Sequence, residues 1–433
     1  MYHFLRTHQH IKLKNIEQFK RKLLQWANTF QEVVWLDSND YHQTYSNFDA
    51  ILAVDAFSRL QTGVYQGFDA LDRYTKATSD WLFGYLSYDL KNDLEDLESS
   101  NFDGLNFPDI VFFQPKKIFM FHGDEVSIHY LNEFSSAIEN DLKSIRNQSD
   151  AVRKKQSEQL EIKSRTPKPS YIQKVKTLQN HITRGDVYEA NFCQEFYAKG
   201  TLDPLATFYK LQARSAPPFA AYFKNGDHYA LSASPERYLK KNGNKVLSQP
   251  IKGTSRRSNN AHEDLELRMN LEANIKERSE NVMIVDLVRN DLSRIAQKGS
   301  VKVDELCEPY TFAQVHHLIS TVVAEIKDVF SSIDVIKSTF PMGSMTGAPK
   351  ISAMKLIDRL EESKRGLYSG AIGYFTPSMD FDFNVVIRSI LYNASKSYIS
   401  FSVGSAITSK SIPEAEYEEC LIKAQALKES LEN

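Results

Sequence analysis

Apolar runs of only four or five residues recur from end to end of this chain, and that brevity limits what it can become. Val33-Val34-Trp35-Leu36, Ala50-Ile51-Leu52-Ala53-Val54 and Ile110-Val111-Phe112-Phe113 have the length and the β-branched and aromatic content of strands, and segments 219–223, 371–375 and 398–401 repeat the pattern. Helix-like stretches separate them, so the chain reads as mixed α and β. No run nears the roughly 20 apolar residues of a membrane span. Residues 1–14 mix His, Arg and Lys with single apolar residues, unlike a secretory leader.

The 433 residues supply material for two or three domains or for one intertwined α/β unit. Lys and Arg number 53 against 55 Asp and Glu, a balance that gives no electrostatic reason to expect nucleic acid or a membrane surface as partner. Cys193, Cys307 and Cys420 have neither metal-type nor C-x-x-C spacing and read as reduced thiols of a cytoplasmic protein. From about residue 135 the chain turns charged and polar, ending in Thr166-Pro167-Lys168-Pro169. That predicts a helix over 135–146, an exposed linker, and a boundary between an N-terminal subdomain, residues 1–165, and a catalytic domain, residues 166–433. Ser170 is then a candidate N-cap for a helix with Ile172, Val175, Leu178 and Ile182 on one face, ended by Gly185.

Chemistry-bearing residues concentrate after the boundary. Lys252, in Pro250-Ile251-Lys252-Gly253-Thr254, is placed in a tight turn after a strand. It is either a solvated loop lysine or, where burial or nearby cations lower its pKa, a nucleophile. Glu277 and Glu280 share one helix face, as do Glu416 and Glu419, with Lys423 a turn later in a helix over 413–430 opened by Pro413. Each pair is a solvated face or half of a site for Mg²⁺, a hard ion that takes a few carboxylates with water and an anionic ligand. His317 is a backbone-bonded core residue or a proton donor or polarising group beside a leaving hydroxyl. Arg388 can clamp a carboxylate bidentately or pair with an acid of the protein. Residues 343–350 have the glycines and hydroxyls of a phosphate loop, but Ala348-Pro349 breaks the Walker spacing. Nucleotide binding is excluded, while a turn rich in amides still suits a carboxylate.

Taken in order, Gly185-Asp186-Val187-Tyr188, Ser234-Pro235-Glu236-Arg237, Pro250-Ile251-Lys252-Gly253-Thr254, Ile284-Val285-Asp286-Leu287-Val288-Arg289-Asn290-Asp291, the 343–350 loop and Glu416-x-x-Glu419-x-x-x-Lys423 resemble the chorismate-utilising enzymes. The likeness is strong over 170–433 and weak before it. Within that family, anthranilate synthase large subunits have alanine where Lys252 stands. Isochorismate and salicylate synthases use a water-activating lysine at the position of Glu189. The component I chains of aminodeoxychorismate synthases carry the lysine at 252. The resemblance therefore implies amination of chorismate at C4, in the 4-aminobenzoate branch of folate synthesis. The alternatives are anthranilate synthase component I, isochorismate synthase, or a non-catalytic subunit that binds aromatic acids. The implied fold is α/β (α+β), an antiparallel β-sandwich core with surrounding helices and the two halves of the chain interleaved.

The same resemblance implies roles. Lys252 adds at C2 as the C4 hydroxyl departs, with His317 near that hydroxyl, and ammonia then enters at C4 and expels the lysine. Glu280 and Glu419 hold Mg²⁺, with Glu277 and Glu416 as nearby partners. Arg388, Tyr368, Lys423 and backbone from Gly404 through Ala406 to Ile407 hold the substrate carboxylates, while Gly253, Thr254 and Ser344 line the pocket. Ammonia comes from a separate glutamine amidotransferase subunit, since no cysteine here lies in a glutaminase-type elbow. Leu36-Asp37-Ser38 and Ala216-Pro217-Pro218-Phe219 resemble a tryptophan pocket. Three positions depart from the family pattern: Glu189 for Gln, Asn281 for His, and Met342 for a small residue.

Overall fold

The short apolar runs become strands buried on both faces. In the computed structural model, which describes residues 6–41, 45–149, 160–312 and 315–432, Val34, Ile51 and Ala53 face one core while Val33, Trp35, Ala50, Leu52 and Val54 face another. Successive side chains of a strand point to opposite faces, so a run with no polar alternation marks a sheet covered on both sides. Each such aliphatic or aromatic side chain contributes about 1.5–3 kcal/mol on burial.

The strands pair antiparallel, and the network forks at the long strand Ile110–His122. One arm runs through Ala50–Thr62, Glu32–Asp37, Phe219–Asn225, His228–Ser234, Ser389–Asn393 and Tyr398–Ile407 to Glu189–Lys199. The other runs through Leu82–Leu86, Ala371–Phe375, Phe381–Asn384, Arg237–Asn242 and Lys245–Gln249 to Val315–Glu325, which also pairs with Ile251–Arg256 and Lys302–Thr311. The arms share one apolar core, to which the first contributes Val34, Ala53 and Phe223 and the second Phe83, Tyr374 and Phe383. A second core lies between the first arm and the helices Ile16–Ala27, Lys168–Arg184, Pro204–Ser215 and Pro413–Leu431. This is the sandwich with outer helices that the resemblance implies. Pairing of Glu32–Asp37 with Phe219–Asn225, and of Leu82–Leu86 with Ala371–Phe375, interleaves the two halves of the chain.

Two local expectations change. The helix expected from Ser170 begins at Lys168, because Pro169, lacking an N–H, suits a first turn, and its buried stripe is Tyr171, Val175 and Leu178. Gly185 ends it in the left-handed conformation, as expected. Residues 150–159 of the expected linker lie outside the described residues.

Candidate active site

The last strands of the two arms meet at one ion pair. Lys252 Nζ donates to Glu189 Oε1 at 3.1 Å, joining Ile251–Arg256 to Glu189–Lys199. Lys252 is the second residue of a strand, not a turn residue, and its surroundings are acidic where a lowered pKa would need cations. Burial pushes the amine down, but Glu189, Glu280 and Glu419 outweigh it, and the net direction is up. Gly253 follows at φ +97°, a conformation that L side chains rarely adopt. A Cβ there would also meet the Leu318 side chain at 3.1 Å and Glu277 Cβ at 3.3 Å.

Thr254 pairs in register with His317 on Val315–Glu325. His317 is buried, its Nδ1 lying 3.0 Å from Thr254 Oγ1 and 3.2 Å from Gly253 O, while Arg388 Nη2 stands 3.1 Å from Nε2. A guanidinium only donates, so Nε2 is the acceptor and the ring proton sits on Nδ1. Burial, then Arg388, hold the imidazole well below its usual range. The ring is therefore neutral and orients Arg388; it has no Nε2 proton to give a departing hydroxyl. Arg388 sits in the bend between Phe381–Asn384 and Ser389–Asn393, directly before the latter, at φ +50°. Holding a non-glycine residue there costs about 1–2 kcal/mol, which the packing of this bend offsets.

Glu236 was legible only as a member of a motif, and the structure makes it a member of the site. It is buried, and its carboxyl is pushed up to about 7 by burial, against the nearby Ser344 hydroxyl, the Ile251 backbone, Lys252 and Arg388. A carboxyl raised in this way can keep a proton near neutrality and so is able to donate one. Ser344 belongs to a short turn, Gly343–Met345, whose Ser344 carbonyl accepts from Asn191 Nδ2 at 2.8 Å. The following Gly347–Ala348 pairs with Ala190 and Glu189. Lys350 is bound to Asp291 and, at 3.0 Å, to Thr339 O, which leaves it no phosphate role.

Two helices bring in the carboxylates. Asn274 caps Ile275–Ser293 by accepting from Lys276 N and Glu277 N, and Pro413 opens Pro413–Leu431. Lys276 feels Glu280, Glu416, Glu277 and Glu419 together, which puts both pairs within electrostatic range of one cation. Glu280 is pushed up to about 7 by burial, and its Oε1 is buried with no hydrogen-bond partner, Lys276 standing 3.8 Å away. Glu277 is raised by burial, with Glu419 adding to it, whereas Lys423 at 2.6 Å holds Glu419 down against burial. Glu416 is buried. Among the described residues no three His, Cys, Asp or Glu groups are gathered as closely as a protein-only metal cage requires. An orphaned carboxylate oxygen and few protein ligands fit Mg²⁺, which keeps water and an anionic ligand in its shell. Asn281 Nδ2 donates to Lys252 O and Leu318 O, each at 3.2 Å, tying this helix to the two strands that carry Lys252 and His317.

Lys423 Nζ also donates to Gly404 O at 3.0 Å. Gly404 and Ala406 face Cys193 and Asn191 across the strand pair, and a Cβ at Gly404 would strike Cys193 Sγ at 2.4 Å. The Tyr368 hydroxyl lies 3.6 Å from that sulfur, behind Gly404. Elsewhere, Leu36, Asp37, Ser38, Pro218 and Phe219 line a second cavity with Arg237 and Tyr374, so the two segments expected to form a tryptophan pocket do meet.

Residues 31–429 match the family model for chorismate binding enzymes. Aminodeoxychorismate synthase component 1 of Bacillus subtilis (strain 168) is 32% identical over 368 residues, 81% of this chain and 76% of that one. The chloroplastic aminodeoxychorismate synthase of Arabidopsis thaliana is 40% identical over 260 residues, but this chain spans only 28% of its length. Anthranilate synthase component I from Streptococcus pneumoniae TIGR4 superposes with a TM-score of 0.77 at 26% identity, covering 89% of this chain and 92% of that one.

Proposed function

The chain belongs to the chorismate-binding enzymes, and from that premise we propose that it is an aminodeoxychorismate synthase component I, aminating chorismate at C4 to 4-amino-4-deoxychorismate. The observation that carries this reading is Lys252, an amine part-buried at the junction of the two arms and paired with Glu189, with Glu236 and Arg388 nearby. Arg388, oriented by His317, and Lys423 are the cations for the two substrate carboxylates. Lys252 Nζ, having given up one proton to solvent, forms a bond to C2; the ring double bond shifts, the C4–O bond breaks, and Glu236 gives the departing hydroxyl its proton. Ammonia then bonds to C4, the double bond returns, and the C2–N bond breaks to restore the lysine. Two allylic displacements replace one difficult substitution. Glu280 and Glu419, with Glu277 and Glu416 behind them, would hold Mg²⁺, which draws electron density from the ring through its carboxylate.

The three cysteines are buried free thiols, none placed for glutamine hydrolysis, so ammonia would come from a glutamine amidotransferase partner. Free thiols fit the cytoplasm, and no helix among the described residues is long and apolar enough to cross a membrane. The cavity at Asp37 and Phe219 is the place for tryptophan, which calorimetry with the free amino acid tests. Mass spectrometry after incubation with chorismate, Mg²⁺ and ammonium tests the main reading. 4-Amino-4-deoxychorismate is expected; anthranilate or isochorismate would move the chain to a sister branch.

A further inference from the structure

We propose that Glu189 sets the charge state of Lys252, holding it as an ammonium in the resting chain. The importance of that state for turnover rests on Lys252 being the nucleophile proposed above. The geometry of the pair does not.

Glu189 Oε1 takes its hydrogen bond from Lys252 at 3.1 Å, and the Glu189 side chain is 1% exposed. Its second oxygen, Oε2, is buried with no hydrogen-bond partner, so no other donor shares the carboxylate's charge. Both ends of the pair are fixed. Glu189 pairs with Ala348 at the start of its strand, and Asn281 holds the Lys252 carbonyl. The remaining carboxylates that act on this amine come from other elements: Glu280 and Glu277 on Ile275–Ser293, Glu419 on Pro413–Leu431, and Glu236 just before Arg237–Asn242. Among the described residues, Glu189 is the one that pairs with Lys252 within 4.0 Å. An opposite charge at such a range moves a pKa by about one to three pH units; here Glu189 is the strongest of the carboxylates that raise the amine, and together with Glu280 and Glu419 it outweighs burial.

Glutamine can accept the same hydrogen bond through its carbonyl oxygen but has no charge. Glu189→Gln therefore separates charge from geometry. Glu189→Asp keeps the charge.

The test is the rate at which trace acetic anhydride acetylates Lys252 in the intact chain at about pH 8, read by peptide mass spectrometry. In a lysine far below its pKa, each pH unit of lowered pKa gives about tenfold more free amine. Glu189→Gln is expected to be acetylated at least about tenfold faster than the natural chain, with Glu189→Asp within about twofold of it. A Glu189→Gln rate within about twofold of the natural chain overturns the proposal, and so does an equal rise in Glu189→Asp. Near-ultraviolet circular dichroism of both variants establishes that the fold persists. Unchanged amination by Lys252→Ala would remove the nucleophile and leave the acetylation result standing, so the two readings fail separately.

Discussion

Arg388 Nη2 donates to His317 Nε2 across 3.1 Å, although 71 residues separate them in the chain. A neutral histidine thus fixes the guanidinium proposed to face the substrate, and on that reading the two act as one unit for binding. His317→Gln should raise KM for chorismate about tenfold while changing kcat less, as expected when a binding group is loosened. Steady-state kinetics decide it. A fall in kcat at constant KM would return His317 to the proton-donor role.

Lys252→Ala should abolish C4 amination, a loss of at least about a thousandfold, and leave Mg²⁺-dependent chorismate binding measurable by calorimetry. In the natural chain incubated without ammonia, intact mass spectrometry should find a species heavier by chorismate less one water. Unchanged turnover in the variant would withdraw the nucleophile assignment.

The pH dependence follows from two directions. The proposed reaction needs Glu236 protonated, with a pKa of about 7, and Lys252 free, with a pKa held above its ordinary range by the surrounding carboxylates. Below about 7 the free-amine fraction alone grows with pH, so the rate of adduct formation rises. Between the two values that growth is cancelled by loss of the Glu236 proton, and the rate is flat. In Glu236→Gln the cancelling loss is gone. Its rate should be about a hundredfold lower and should keep rising with pH above 7. A plateau retained in the variant would assign the titration to another group.

Glu280 carries a buried oxygen with no hydrogen-bond partner, 3.8 Å from the Lys276 amine, and a carboxyl pushed up to about 7 by burial. Glu280→Gln should raise the Mg²⁺ concentration for half-maximal activity at least about tenfold and lower the maximum with it. A metal titration identical to that of the natural chain would contradict the ligand role.

Gly253→Ala tests the backbone that presents the lysine. At φ +97°, with Leu318 at 3.1 Å from the new Cβ, the substitution should destabilise the fold by about 1–3 kcal/mol, read from urea midpoints. Stability equal to the natural chain would mean that the backbone here can relax.

How far the sequence could be read depended on the range of the forces involved. The strands, the C-terminal helix opened by Pro413, and the end of the 168–184 helix at Gly185 were legible because apolar runs, first-turn prolines and C-cap glycines act locally. The identities of Lys252, Glu280, Glu419 and Arg388 as site residues came from motifs and their order. Glu236 belongs to such a motif, yet nothing local revealed its burial or its raised carboxyl. Ser170 as an N-cap failed because Pro169, one residue away, already suited the first turn.

What the amino-acid order determined by itself is the element content and the set of reactive side chains. Only the tertiary structure decided their charge states. Glu189 lies 63 residues before Lys252, and the strands that carry them belong to different arms of the sandwich. Coulomb interaction and desolvation act through space, not along the chain. A lysine that its neighbours in sequence leave as either a solvated loop residue or a nucleophile is part-buried and paired with a carboxylate that only the closing of the fold brings within 3.1 Å.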